Sequence, residues 1–108
     1  MASTWAALSD PHRRAVLALL RDRPRPVGEL VERLGLTQPG TSKHLRILRE
    51  AGLVRVRREA QRRVYELETA PLAELDRWLA PYRQLWEDRL DALERHLDNT
   101  HHQEDPET

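Results

Sequence analysis

Between positions 38 and 49 the chain places Gln38, Ser42, Lys43, Arg46 and Arg49 at spacings that fall on one side of a helix. An amide, a hydroxyl, an ammonium and two guanidinium groups form a donor-rich surface. Glutamine pairs bidentately with adenine, arginine or lysine with guanine, and serine with a base or a phosphate. Gln38 and Ser42 also lie near the start of that helix, where backbone N–H groups favour phosphate. A second basic group follows at Arg57, Arg58, Gln61, Arg62 and Arg63. Its chemistry suits the gripping of phosphates or an approach to a minor groove, so it positions while the helix specifies. Covalent chemistry has no comparable set. Cysteine is absent, and no Ser/His/Asp arrangement, glycine-rich phosphate loop or paired-carboxylate pocket stands out, which argues against an enzyme.

These residues need a frame. Ser9-Asp10-Pro11 is a helix start, with a capping side chain and a proline suited to the first turn. Val16, Leu17, Leu19 and Leu20 continue that helix, and Pro24 and Pro26 end it. Val27, Leu30, Val31 and Leu34 mark a short second helix closed by Gly35. Thr37 caps a third, whose inner face holds Thr41, Leu45, Ile47 and Leu48 and which stops at Gly52. Two short amphipathic helices joined by Gly35-Leu36-Thr37 form a helix-turn-helix, whose second helix fits a major groove about 12 Å wide. His44, beside inward Leu45, suits either packing or DNA contact.

The period then changes from helical to alternating over residues 53–58 and again over 63–67, which predicts a β-hairpin with its tip at residues 57–63. Val54, Val56, Val64 and Leu67 form the inner face of that hairpin. Leu72, Leu75, Leu79, Tyr82, Trp86, Leu90, Leu93 and Leu97 restore helical spacing. Pro81 predicts a break or bend near Ala80. The expected fold is mainly α with a small β-hairpin: a winged helix-turn-helix over residues 1–98, with a polar, disordered tail over 99–108.

Composition supports this reading. The 108 residues include 39% hydrophobic and 33% charged side chains, a globular balance for one domain. No apolar run is long enough for a membrane span, and the first residues lack a secretory pattern. With no cysteine, the expectation is a bacterial cytoplasmic protein, on the nucleoid when bound to DNA. The formal net charge of zero hides a split. Residues 1–65 hold 14 Arg and Lys against 6 Asp and Glu, a surplus of eight positive charges, and residues 66–108 hold the matching surplus of eight negative ones. A basic half beside an acidic half points to a nucleic-acid surface.

Residues 8–17, 27–30 and 37–54 together resemble the ArsR-type (arsenic-repressor-like) bacterial regulators. The resemblance runs from about Trp5 to Leu67 and, more loosely, through the C-terminal helices. It implies a homodimeric repressor on double-stranded DNA, contacting a near-palindromic operator through Gln38, Thr41, Ser42, Lys43, His44, Arg46 and Arg49 and through the wing. It also implies dimerisation through the terminal helices, where Trp5, Leu8, Trp78, Tyr82, Leu85, Trp86 and Leu90 lie. Independently, Trp5, Trp78, Tyr82, Leu85 and Trp86 are more large apolar surface than a small chain covers alone. A two-fold dimer places its recognition helices about 34 Å apart.

The chain also departs from the family pattern. Many relatives sense metal through cysteine pairs before the recognition helix, where residues 28–34 offer none, and others use Asp and His on the C-terminal helix, where residues 72–91 contain no histidine. The sequence therefore resembles the metal-independent members, with no cofactor and an unidentified effector. One alternative is a metal-sensing repressor using His96, His101 and His102. Another is a winged-helix protein-interaction module without DNA binding.

Overall fold

The computed structural model describes the backbone of residues 2–104 and the side chains of residues 3–100. The chain divides into two compact units, residues 1–75 and 76–108.

In the first unit, α1 (Ala2–Leu8) leads into α2 (Pro11–Asp22), α3 (Val27–Leu34) and α4 (Gln38–Glu50). Each start and stop has a local cause. The Asp10 carboxylate accepts from the backbone N–H groups of His12 at 2.7 Å and Arg13 at 3.3 Å, which satisfies two free donors at the head of α2. Gly35 takes the left-handed conformation, φ 67°, and ends α3 while its N–H donates to the Val31 carbonyl at 3.0 Å. The Thr37 hydroxyl accepts from the Gly40 N–H at 3.1 Å, so α4 begins at once and the intervening turn is short.

The β elements are β1 (Arg25–Pro26), β2 (Val54–Glu59) and β3 (Arg62–Leu67), in an antiparallel sheet of order β1-β3-β2. The sequence reading treated residues 21–26 only as a helix breaker. They also supply an edge strand, with Arg25 opposite Tyr65 and Pro26 opposite Val64. Proline is tolerated at an edge, and it holds the residue before it extended. The hairpin turn is tighter than expected: the strands run to Glu59 and from Arg62, and Ala60-Gln61 alone join them. Ala60 adopts φ 57°, a conformation usually left to glycine.

The core gathers Ala7, Val16, Leu20, Leu30, Leu45, Leu48, Leu53, Val54 and Tyr65. Leu45 and Leu48 anchor α4, each contributing about 2 kcal/mol by burial. Arg25 is buried among them. Its guanidinium donates to the Leu19 carbonyl at 3.0 Å, to Asp22 at 3.2 Å and to Glu29. The Arg25 bond, reinforced by Arg23, holds the Glu29 carboxyl below the usual glutamate range despite partial burial.

A single helix, α5 (Ala70–Glu104), begins in the first unit and makes up the described part of the second. The break anticipated at Pro81 does not occur: Pro81 lies inside a continuous helix. Losing one N–H costs locally, but the flanking Leu-, Arg- and Glu-rich segments favour helix strongly enough to carry it through. Helix also continues through residues 99–104, where a disordered tail was expected, and residues 105–108 lie outside the described residues.

Candidate nucleic-acid interface

Helix α4 sorts its side chains by period. Leu45 and Leu48 face the core, while Gln38, Ser42, Lys43, Arg46 and Arg49 are exposed. Ser42, Lys43 and Arg46 line one concavity together with Pro39. Arg46 and Arg49 share the next one along with Glu50. Ser42, Lys43, Arg46 and Arg49 thus form one continuous outer face, and Gln38 is exposed at the first position of the same helix. Thr41 requires a correction. It is 0% exposed, and its hydroxyl donates to the Thr37 carbonyl at 2.9 Å, so it is a packing residue and cannot contact DNA. Its neighbours on the helical period, Leu45 and Leu48, are the signal that gave it away. His44 is half-buried at the flank, with Nδ1 3.4 Å from an Arg13 nitrogen and its ring 5.6 Å from that of His12.

The wing arginines are all exposed, but the pleat divides them. Residues directly opposite in an antiparallel pair share a face, and faces alternate along each strand. Val56 pairs with Tyr65, so Arg58 and Arg63, two residues on, project from that same helix-facing side. They line a concavity of about 270 Å³ with Arg49 of α4 and Val56, and Arg57 reaches its edge. Among the described residues neither Arg58 nor Arg63 enters an ion pair.

Arg55, Arg57 and Arg62 belong to the other face, where the carboxylates are; Val64, expected on the inner face with Val54, Val56 and Leu67, lies opposite Arg57 on this side, and Tyr65 takes the inner position. Arg55 meets Glu66 at 3.0 Å and Glu68 at 3.4 Å. Arg57 holds Glu59 at 3.0 Å and also Glu66, and Arg62 reaches Glu59 at 3.4 Å. The Arg57 and Arg55 guanidinium groups hold the Glu66 carboxyl below its usual range. Arg57 and Arg62 do the same for Glu59. Sequence reading grouped Arg57, Arg58, Arg62 and Arg63 as equals. Strand register separates them, and Gln61 sits in the turn.

Two arginines outside the expected set matter to the frame. Arg25 was not singled out, although acids three residues before it and four after were a usable signal. Arg13, beside His44, had no sequence signal because its partners come from two other helices.

In the second unit Trp78, Tyr82, Leu85, Trp86 and Leu90 are exposed, as are Leu93 and Leu97. Trp78 and Tyr82 stack with ring centroids 4.8 Å apart. In the first unit Trp5 is exposed and Leu8 is partly buried against the core. His96 is exposed, and the His101 and His102 side chains lie outside the described residues. Among the described residues no cluster of three metal-ligating groups forms. No described helix is long and apolar enough to cross a membrane.

A helix-turn-helix with an outward donor face, flanked by a basic β-hairpin, defines a winged helix-turn-helix DNA-binding protein. Comparison with known proteins places it further. A family model described as a helix-turn-helix domain matches residues 8–57. The chain is 42% identical over 89 residues to the HTH-type transcriptional regulator Rv2034 of Mycobacterium tuberculosis, covering 75% of this chain and 83% of that one. It is 33% identical over 79 residues to the transcriptional repressor SdpR of Bacillus subtilis, covering 73% and 88%. A crystal structure of an ArsR family transcriptional regulator superimposes with a TM-score of 0.71 at 34% identity, covering 80% of this chain and 94% of that one. The chain belongs to the ArsR family of helix-turn-helix transcriptional regulators, a family of DNA-binding proteins and not of enzymes.

Proposed function

We propose that this regulator is a homodimeric repressor that binds a near-palindromic operator. In this reading Gln38, Ser42, Lys43 and Arg46 read bases in the major groove. Arg49, Arg58 and Arg63 hold one stretch of backbone, with Gln61 at the wing tip and His44 at the helix flank. The observation that carries the reading is the Arg58–Arg63 pair, which lies on the helix-facing side of the wing with no carboxylate partner among the described residues, next to Arg49. Cations left unpaired beside an exposed donor face suit an external polyanion.

The residues from Trp78 to Leu97 place seven large apolar side chains in water, at 46–64% exposure. Such a patch on a small chain calls for a partner, and aromatic residues are favoured at interface centres. A second copy, joined through these residues with Trp5 and Leu8, would give the two-fold symmetry that a palindromic site requires. A bacterial cytoplasmic location fits that role.

The test is selection of duplexes from a random library, followed by affinity across a salt series and sedimentation of the free protein. Enrichment of a two-fold symmetric sequence, binding that weakens steeply with salt, and a dimer at micromolar concentration are expected. Failure to enrich any sequence would favour a protein-docking module instead.

A further inference from the structure

We propose that Arg13 is a positioning residue for the recognition helix: it fixes the His44 ring in the tautomer with its proton on Nε2 and ties that ring to the end of α1. This rests on the DNA-binding reading above.

Arg13 sits in the first turn of α2 with its side chain only 13% exposed. Its guanidinium spans three elements. Nε donates to the Ala7 carbonyl at 2.8 Å and Nη2 to the Ala6 carbonyl at 3.1 Å, both near the C-terminal end of α1. Carbonyls at a helix end carry the negative end of its dipole, so a cation is favoured there, although the Ala6 carbonyl also accepts from the Ser9 N–H at 3.3 Å and hydroxyl at 2.7 Å. The third nitrogen, Nη1, lies 3.4 Å from Nδ1 of His44 on α4 and 3.9 Å from the Asp10 carboxylate.

Arginine has donors and no acceptor. His44 Nδ1 must therefore accept, and the proton of the neutral ring sits on Nε2. The His12 ring, tilted by 39°, and the Asp10 carboxylate are the other titratable groups beside it. A ring held in this way offers one donor from one defined atom. That donor matches an acceptor, and at the flank of α4, off the outer face of Ser42, Lys43 and Arg46, the acceptor it fits is a backbone phosphate oxygen. A neutral donor contributes affinity without displacing a counterion. Because the same guanidinium holds α1, which carries Trp5 and Leu8, the helix assigned to the dimer seam and the His44 donor share one anchor.

The test joins a ring spectrum to an affinity cycle, using the full chain and the duplex that the wild-type protein selects. At about pH 8, above the ordinary histidine range, ring nitrogen shifts of the free wild-type protein should show His44 protonated at Nε2. Arg13→Met and Arg13→Lys should both give mixed tautomers. His44→Ala and Arg13→Met should each weaken binding about tenfold, and the double variant should be no weaker than either. The salt slope should not change. Arg13→Lys, which keeps the charge, supplies the affinity reading if Arg13→Met does not fold. A wild-type ring protonated at Nδ1, or losses that multiply to about a hundredfold in the double variant, would overturn the proposal. A protein that selects no duplex would refute the DNA-binding reading instead, while the ring spectrum still decides the Arg13 contact.

Discussion

Replacing Arg58 with threonine should make the free protein more stable and its DNA complex weaker. Arg58 faces Arg63 directly across the hairpin, where side chains of opposed residues start about 5 Å apart. No carboxylate among the described residues compensates either cation. Like charges in that position destabilise by a few tenths to about 1 kcal/mol. Removing one should yield about 0.5 kcal/mol, or about 2–4 °C in Tm for a chain of this size. On DNA the same change removes one phosphate contact per protomer. The slope of log K against log salt should fall in magnitude by about 1.8 per dimer, which is about 60-fold in affinity at 0.1 M salt if the rest of the interface is unchanged. Arg57→Thr is the internal control one residue away. It strips Glu59 and Glu66 of a partner, so it should lower Tm and change the salt slope little. Calorimetry and a salt titration on both variants decide the matter. If Arg58→Thr melts lower than wild type, or Arg57→Thr loses the larger share of salt dependence, the division of the wing by its pleat is wrong.

Other perturbations probe the remaining parts of the frame. Lys43→Ala and Arg46→Ala should each reduce discrimination between the selected duplex and random DNA by about tenfold, measured by competition, because these side chains project from the outer face of α4. Ala60→Gly should raise stability by about 1 kcal/mol in denaturant melts, since it relieves a left-handed alanine in a two-residue turn. Glu29→Gln should flatten the acid limb of the stability profile. The folded Glu29 carboxyl is held below its ordinary value, so its contribution is complete above the unfolded pKa and is lost as pH falls through the lower folded one. Thermal melts of the two proteins below about pH 5 should therefore converge.

Helices α2, α3 and α4, the turn between α3 and α4, and the outward face of α4 were legible because their causes are local. Asp10, Gly35 and Thr37 act within a few residues of themselves, and helical period alone sorts Leu45 and Leu48 from Lys43 and Arg46. Features that depend on distant partners were not. The edge strand at Arg25 and Pro26 exists only because β3, some forty residues later, lies beside it. The arginines of the wing look alike until register places Arg58 opposite Arg63 and Arg55 opposite Glu66. Thr41 was open to misreading because a hydroxyl can serve a base or a backbone carbonyl, and burial against the core decides which. Pro81 shows the reverse error, a local rule overruled by the helix around it.

The same partition bounds the electrostatics of binding. Of the 14 basic residues in positions 1–65, seven have a carboxylate within ion-pair distance: Arg13, Arg23, Arg25, Arg33, Arg55, Arg57 and Arg62. Releasing any of these to DNA would strand an acid, so a phosphate gained there is offset by a partner lost. Of the remainder, Lys43, Arg46, Arg49, Arg58 and Arg63 lie on α4 and the helix-facing side of the wing, while Arg14 and Arg21 lie on α2. If all five of the first group meet phosphate in both protomers, the salt slope reaches about −9, and every one that reads a base instead lowers it. Counting all fourteen as free would predict about −25. Arg14 and Arg21, were they also to meet phosphate, would carry the slope to about −13 with every ion pair intact; a measured slope well beyond that would mean that the ion pairs open on DNA, and that the separation of binding arginines from structural ones does not survive the complex.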